Sequence, residues 1–234
     1  MQRSEIEAVI DTHGPARVVE RLDQYLSDPR RARIEAVVAA RLEGIEVALE
    51  SPYDPRNASA VVRSAEALGL RRIHVIAASR RVLETPGTTR GTHHWMNTRN
   101  WRTIDDFLAG MRERDMLLAG ACPRASMALE DLPVDRPICL VFGNEHDGLA
   151  EPLEAACDLR FGIPIHGFAE SFNVSVAAAI SLYSVSSRRR AQLGRPGNLA
   201  PDELARERAR CSLRSVDDRL VRGLFPAPLA EKGQ

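Results

Sequence analysis

The stretch PYDPRNASAVVRSAEALG follows the first apolar run of the sequence and contains side chains that could do chemistry. Pro52 and Pro55 stiffen its start. Asn57 stands where a helix N-cap is expected, and Arg63 follows six residues later, nearly two helical turns on. An amide and a guanidinium can hold and polarise an oxygen or a phosphate. Taken alone, Asn57 is equally well explained as a cap and Arg63 as an exposed arginine in a surface ion pair.

A second stretch, VFGNEHDGL, places an acid inside a glycine-bounded turn after an apolar strand. Gly143 and Gly148 permit tight backbone geometry around Glu145. Ligands of open α/β sheets bind at the carboxyl ends of strands, so a charge held there favours a functional role over a simple turn. His146 is expected to face solvent, and no second histidine lies at a spacing that would indicate a metal site.

The third stretch, GIPIHGFAESFNVSVAAAISLYSVSSRRRAQLG, joins a polar loop to an apolar helix. Ser171 and Asn173 precede a run from Val174 to Val185 that is apolar or small on nearly all sides, which predicts a buried helix with an Asn cap. The simpler interpretation is a core helix with a solvated basic end. If the loop also emerges at a strand end, however, it and the second stretch converge on one edge and form a pocket.

The elements that must position these stretches alternate between strand and helix. Expected strands cover residues 45–49, 73–77, 116–121, 138–142 and 159–163, and expected helices cover 58–68, 104–112 and 149–156. This order predicts an α/β fold with a mostly parallel sheet flanked by helices. The first strand is not followed by G-x-G-x-x-G, which argues against a dinucleotide-binding protein.

Helical extensions flank this catalytic part at both ends. We expect a helical N-terminal extension at 1–41, broken at Gly14–Pro15, a catalytic domain at 42–194, and a helical, basic C-terminal extension at 195–234. Residues 186–234 contain eleven basic and six acidic residues, although the whole chain has a formal net charge of zero. The net charge of the whole chain therefore gives no argument for a nucleic-acid partner. The local excess of five basic residues in 186–234 is more informative.

Composition describes an ordinary globular protein of 234 residues, with 44% hydrophobic and 27% charged residues. Its four cysteines are widely spaced without a CxxC pair, so we expect neither zinc nor disulfides. The N-terminus shows no signal-peptide pattern, and the most apolar stretch is too short and too rich in serine to span a bilayer. We therefore expect a cytoplasmic protein.

Together and in this order, the three stretches resemble the three motifs of the SpoU branch of the SPOUT methyltransferases. The first motif is an Asn followed by an Arg six residues on, and the second is a glycine–x–glutamate turn. The third is Ser-x-Asn followed by V-S-V-A, and all three are present. The resemblance covers roughly residues 42–190 and, with RGTHHW, is strongest to the TrmH-type members, which methylate the 2′-oxygen of guanosine-18 in the tRNA D-loop. His94 departs from the lysine that such members often carry there.

The resemblance implies a deep trefoil knot in the C-terminal part of the catalytic domain, S-adenosylmethionine as the cofactor, no metal, and a homodimer with the active site near the interface. It implies a pocket built by residues around the knot, namely Gly120, Gly143, Ile163, Ser171, Phe172, Asn173, Val174 and Ser175.

The resemblance also implies roles for individual residues. Arg63 would activate the ribose hydroxyl, and we favour a phosphate and ribose clamp over a literal base because guanidinium is hard to deprotonate. Glu145 would hold Asn57 or Arg63 in place, and Asn173 would organise the cofactor loop. For RNA contact we expect residues outside the pocket, namely His94, Arg188, Arg189 and Arg190. Two alternatives remain: an rRNA 2′-O-methyltransferase of the same family, and a catalytically silent RNA-binding protein on the same scaffold.

Overall fold

The computed structural model describes residues 1–78 and 92–226 and divides the chain into two compact units. One unit comprises 41–198 and carries the three candidate stretches, and the other combines 1–40 with 199–234. We refer to them as the catalytic unit and the terminal unit. The N- and C-terminal extensions, which the sequence predicts as separate segments, thus belong to one helical unit.

The catalytic unit contains a seven-stranded parallel sheet in the order β3-β2-β1-β6-β4-β7-β5. Its strands are β1 (Ile45–Glu50), β2 (Arg72–Ile76), β3 (Asn97–Trp101), β4 (Leu117–Ala121), β5 (Met127–Ala128), β6 (Ile138–Phe142) and β7 (Leu159–Gly162). Its helices are α4 (Pro55–Ala67), α5 (Ile104–Arg112), α6 (Glu151–Ala156) and α7 (Val174–Leu193). The predicted α/β fold with a parallel sheet is confirmed.

The sheet is covered on both faces by helices. On one face, Val61 and Val62 of α4 and Leu182 of α7 join a core with residues of β1 and β6. On the other face, Phe107 of α5 and Leu153 of α6 pack in a second core. All six residues of β1 are buried, as expected for a central strand of a parallel sheet.

Two edge strands and one helix start differ from the sequence-based expectations. β3 reads NTRNW and β5 has only two residues, so neither carries the apolar run by which a buried strand is recognised. The expectation that Asn57 caps α4 is wrong. Asp54 is the N-cap, its side chain accepts a hydrogen bond from the N–H of Arg56, and Asn57 lies inside the first turn.

A buried polar network ties the edge strand β3 to β2 and to the central strand β1. The imidazole of His74 lies 2.7 Å from the carboxylate of Glu46 through Nε2, and its Nδ1 accepts a hydrogen bond of 3.0 Å from the indole of Trp101. Arg114 donates two hydrogen bonds to the same carboxylate. Burial alone would raise the pKa of Glu46, but the hydrogen bonds from Arg114 and His74 outweigh it and lower the pKa to about 2.

The terminal unit consists of helices packed around a small apolar core. They are α1 (Arg3–His13), α2 (Pro15–Asp23), α3 (Asp28–Ala39), α8 (Pro201–Leu213) and α9 (Asp218–Leu224). Gly14 separates α1 from α2 at a φ of +78°, and Pro15 begins the second helix, so the predicted break is confirmed. Ile10, Leu22 and Leu213 are among the buried residues.

Acidic residues of the N-terminal helices neutralise much of the basic tail. Arg206 pairs with Glu7 and Asp11, and Arg210 pairs with Glu7 at 2.7 Å. Burial alone would raise the pKa of Glu7, but hydrogen bonds from Arg210 and Arg206 lower it to about 2. The tail is basic as a stretch of sequence, yet the unit it folds into has as many acidic as basic residues, 13 of each.

Candidate active site

The candidate residues meet where the strand order of the sheet reverses. β1 and β6 are neighbours, and from β1 the chain continues on one side to β2, whereas β4 lies on the far side of β6. The loops that follow β1 and β6 therefore leave a crevice at the carboxyl ends of these strands. This is the position at which doubly wound α/β proteins bind ligands.

A carboxylate joins the loops after β1 and β6. Glu145, after β6, accepts a hydrogen bond of 2.7 Å from Nδ2 of Asn57 and one of 3.0 Å from the backbone N–H of Tyr53. Burial alone would raise the pKa of Glu145, but these hydrogen bonds outweigh it and keep the pKa below its usual value. The group is therefore an anion at neutral pH, with one oxygen committed to each partner.

The third stretch joins the same group through Asn173. This residue is the N-cap of α7, since its Oδ1 accepts from the N–H of Ser175 at 2.9 Å and from the hydroxyl at 2.7 Å. Its Nδ2 donates to Oδ1 of Asn57 at 3.3 Å. Asn173, Asn57 and Glu145 thus form one hydrogen-bonded chain, and each comes from a different motif.

The turn after β6 requires its first glycine because the chain folds back on it. Asn144 and Gly148 pair through two backbone hydrogen bonds, which closes a narrow loop. A Cβ on Gly143 would lie 2.0 Å from the carbonyl carbon and oxygen of Gly148. Gly148 itself has a φ of +72°, which L side chains rarely adopt.

A cavity of about 430 Å³ lies next to these three hydrogen-bonded residues, and Glu145 and Asn173 are part of its lining. Six of the eight residues predicted to bind the cofactor line it, namely Gly143, Ile163, Ser171, Phe172, Asn173 and Val174. Its floor includes the apolar side chains of Phe142 and Phe161, and its rim carries the carboxylates of Glu145 and Asp147. Among the described residues that line it, none is an arginine or a lysine.

The other two predicted cofactor residues, Gly120 and Ser175, are not among the residues that line the cavity, so their contact with the cofactor stays a prediction. A Cβ on Gly120 would meet Cδ1 of Leu149 at 2.9 Å and the sulfur of Cys157 at 3.0 Å, so this glycine serves helix–sheet packing on the opposite face. Ser175 lies in the first turn of α7 and contacts Asn173 rather than the cavity.

Arg63 lies on α4 with its side chain exposed. Among residues 1–78 and 92–226, no partner forms a hydrogen bond or ion pair with it in this chain. The expectation that Glu145 holds either Asn57 or Arg63 therefore resolves to Asn57.

The arginines at the end of α7 bind backbone carbonyls of their own unit. Arg188 donates to Leu132 at 2.7 Å and to Leu129 at 3.1 Å. Arg189 donates to the carbonyl of Val134, and Arg190 donates to that of Leu68 at 2.7 Å. Part of their hydrogen-bonding capacity therefore stabilises the fold.

The stretch RGTHHW is only partly described. His94 lies in a short 3₁₀ turn, Thr92–Trp95, and is exposed. Residues 90 and 91 of the same stretch lie outside the described residues.

Several residues of the site are absent from the sequence-based prediction. Ala121, Cys122 and Pro123 line the cavity from the end of β4, and the rule that ligands bind at strand ends could have identified them. Tyr53 and His146 lie beside the carboxylate of Glu145, and their rings contact one another. A polar loop sequence gives no signal for such a contact.

The cysteines are free thiols, and one of them, Cys122, lines the cavity. Burial raises the pKa of Cys122 to about 11 and that of Cys157 to about 12. Both are therefore protonated and poor nucleophiles at neutral pH. Among the described residues, no group of three or more His, Cys, Asp or Glu side chains is arranged to hold a metal ion, and no helix is long and apolar enough to cross a membrane.

A parallel sheet with a polar site and a cavity at its switch point is the arrangement in which doubly wound α/β proteins bind small ligands. The chain belongs to the SpoU rRNA methylase family, whose model matches residues 44–183.

Comparison with individual proteins agrees with this assignment. A tRNA (guanosine(18)-2′-O)-methyltransferase of Borreliella burgdorferi is 32% identical over 170 residues, which is 72% of this chain and 78% of that protein. The crystal structure of the TrmH/SpoU tRNA-modifying enzyme of A. aeolicus matches with a TM-score of 0.71 and 26% identity, covering 82% of this chain and 98% of that one. The SpoU methyltransferase AviRb of Streptomyces viridochromogenes, in complex with AdoMet, matches with a TM-score of 0.60 and 25% identity over 66% of this chain and 64% of that one.

Proposed function

We propose that this protein is an S-adenosylmethionine-dependent RNA 2′-O-ribose methyltransferase that acts on guanosine-18 in the tRNA D-loop. Membership of the SpoU family and the name of the Borreliella relative support this function. The observation that carries it is the hydrogen-bonded chain Asn173–Asn57–Glu145 at the rim of the cavity, since it joins all three motifs of the family.

The cavity fits S-adenosylmethionine by size and by chemistry. Its volume of about 430 Å³ lies within the range of small-molecule sites. Apolar walls suit an adenine ring, and the carboxylates of Glu145 and Asp147 suit a positively charged sulfonium. When bound, the cofactor supplies an electrophilic methyl group.

The residues at the rim position the ribose. Glu145 is ionised and holds Asn57, whose amide then has a fixed orientation toward the site. Arg63 clamps the phosphate and ribose of the target nucleotide and stabilises the developing alkoxide. Its guanidinium is exposed and has no partner among the described residues, which supports this role because a group that must bind substrate has to be accessible. Asn173 orients the cofactor loop while it caps α7.

Three further properties form part of the proposal. The 163–173 segment and α7 form the deep trefoil knot of the family, and β7, which lies between β4 and β5, supports this placement. A homodimer forms through α7, supported by Val176 and Tyr183, which are 45% and 65% exposed and lie seven residues apart on one face. The protein acts in the cytoplasm, where its tRNA substrate occurs.

RNA contact by His94, Arg188, Arg189 and Arg190 stays a prediction. The carbonyl contacts of Arg188 and Arg189 use only some of the five N–H donors of each guanidinium. The terminal unit is charge-balanced, so RNA binding through it depends on particular exposed arginines and not on an overall excess of positive charge.

The test is methyl transfer from labelled S-adenosylmethionine to unmodified tRNA transcripts. We expect transfer to a transcript with guanosine at position 18, and none to the same transcript with 2′-deoxyguanosine there. Equal transfer to both would rule out the 2′-oxygen as acceptor. Transfer to rRNA fragments but not to tRNA would favour the rRNA enzyme, and no transfer to either would favour a silent RNA-binding scaffold.

A further inference from the structure

A large aromatic side chain stands in solvent beside the candidate active site. Tyr53 is 74% exposed, although it lies in the loop between β1 and α4 that also leads to Asn57. A tyrosine ring in solvent does not contribute to folding the stabilisation that its burial would give. In an active-site loop, such exposure suits a ring that is covered when substrate binds.

The loop holds this ring in a defined position. The backbone N–H of Tyr53 donates to Oε2 of Glu145 at 3.0 Å, the same carboxylate that holds Asn57. Pro52 and Pro55 restrict the backbone on either side, and Asp54 is fixed as the cap of α4. Because the anchor is a backbone group, the side chain is free to contact substrate.

A second ring extends the surface toward the cavity. His146 packs against Tyr53 with ring centroids 4.9 Å apart and planes at 83°, an edge-to-face contact. Its loop is fixed as well, since its N–H donates to Oδ1 of Asn144 at 2.8 Å. His146 lines the cavity, whereas Tyr53 lies outside it. The pair therefore runs from the cavity rim outward, next to Glu145.

Exposed aromatic faces at a nucleic-acid site bind unstacked bases. Proteins that act on single nucleotides hold the base by stacking it on aromatic side chains, and the stacking tolerates any base because every base has a π face. An edge-to-face pair leaves at least one face of each ring available.

We propose that Tyr53 and His146 form an aromatic platform on which the base of the target nucleotide stacks, so that its 2′-hydroxyl is placed beside Asn57 and Glu145. The proposal rests on the function proposed above. Tyr53 supplies the stacking face, and His146 fixes the angle of that ring and closes the gap to the cavity.

The experiment compares two tRNA transcripts that differ only at position 18, where one has guanosine and the other an abasic ribose that keeps its 2′-hydroxyl. Dissociation constants are measured for the wild type and for Tyr53→Ala, Tyr53→Phe and Tyr53→Leu. We expect Tyr53→Ala to weaken binding of the intact transcript roughly five- to a hundredfold, the range measured for loss of one base–aromatic stack. Tyr53→Phe should bind as the wild type does, whereas Tyr53→Leu, which is apolar but has no π face, should not.

The abasic transcript makes the result specific. Wild type and Tyr53→Ala should bind it with equal affinity, because it offers no base to stack. His146→Ala should weaken binding of the intact transcript less than Tyr53→Ala does. Tyr25→Ala is the matched control, since Tyr25 is another exposed tyrosine, 46% accessible, in the terminal unit. The Tyr25→Ala variant should change the dissociation constants of the two transcripts by the same factor.

Failure of the platform and failure of the proposed function give different results. If the wild type methylates the intact transcript but Tyr53→Ala weakens both transcripts equally, or neither, the platform is wrong and the function stands. If the wild type binds both transcripts equally, the base makes no contact and the platform is again wrong. If the wild type does not methylate the intact transcript, the proposed tRNA function fails and the platform with it.

Discussion

Asn57 and Glu145 are 88 positions apart in the sequence, and Nδ2 of the first donates a hydrogen bond of 2.7 Å to Oε1 of the second. Their strands, β1 and β6, are paired along their length, so both residues emerge from the same edge of the sheet. The bond joins helix α4 to the turn that follows β6.

This bond predicts that the two residues act as one unit. In single-turnover methyl transfer, Asn57→Ala and Glu145→Ala should each slow the reaction, and the double variant should be little slower than the worse single variant. Residues in one hydrogen-bonded network show coupling energies of about 0.5–3 kcal/mol. Additive effects on the rate would contradict a shared role.

Arg63→Ala should lower methyl transfer by about a hundredfold or more, since loss of one preorganised charged donor typically costs that much. Cofactor affinity, measured by calorimetry, should change little, because Arg63 does not line the cavity. Arg63→Lys should restore little, because an ammonium group cannot make the planar two-pronged contact. Arg56→Ala is the matched control, as Arg56 is another exposed arginine of α4. Near-normal turnover in Arg63→Ala would remove the residue from the mechanism.

Gly143→Ala should abolish measurable cofactor binding while the protein remains folded. The added Cβ would lie 2.0 Å from the backbone of Gly148, so the turn that forms one wall of the cavity must open. Gly167→Ala is a suitable control, because nothing lies within 4 Å of its added Cβ. Unchanged calorimetric affinity for S-adenosylmethionine in Gly143→Ala would show that the turn is not part of the pocket.

The pKa of Glu46 predicts an acid-dependent loss of stability in the catalytic unit. Because its folded-state pKa is lowered from 4.5 to about 2, its stabilisation is present above pH 4.5 and is lost as the pH falls from 4.5 to 2. The shift corresponds to roughly 3 kcal/mol. Glu46→Gln should therefore be less stable at pH 7, and its stability should fall less steeply below pH 4.5.

Urea unfolding followed by tryptophan fluorescence measures this effect in one unit, because both tryptophans, Trp95 and Trp101, belong to the catalytic unit. Glu113→Gln, at an exposed position of the same unit, should leave the profile unchanged. Identical pH profiles for Glu46→Gln and the wild type would contradict the role assigned to the network.

Replacing Arg188, Arg189 and Arg190 together by alanine should weaken tRNA binding and flatten its dependence on salt, because each phosphate contact releases a counterion. The carbonyls that these side chains hold would also lose their partners, so the variant should unfold at lower urea concentration. The salt slope separates the two effects. A slope equal to that of the wild type would show that RNA binds elsewhere.

The sequence alone determined the elements and the family. Alternation of apolar runs with amphipathic stretches identified the central strands and the helices, because burial on both faces of a parallel sheet imposes such runs. This pattern misses the edge strands β3 and β5 because only one residue of β3 and none of β5 is fully buried, so neither strand requires an apolar run. The motifs are short and local, which is why Asn57, Glu145 and Asn173 could be named without a structure.

Tertiary structure decided which of these residues meet. The sequence predicts Asn57 as the cap of a helix. In the structure Asp54 caps α4, and the side chain of Asn57 forms hydrogen bonds with Glu145 and Asn173. The sequence indicates Gly120 as a cofactor contact, whereas the folded chain lines the cavity with the residues that follow it, Ala121, Cys122 and Pro123. Contacts between residues far apart in the chain depend on strand order and on which face each side chain takes. Neither is encoded in local spacing, so the rim of the cavity and the Tyr53–His146 pair become visible only in the folded chain.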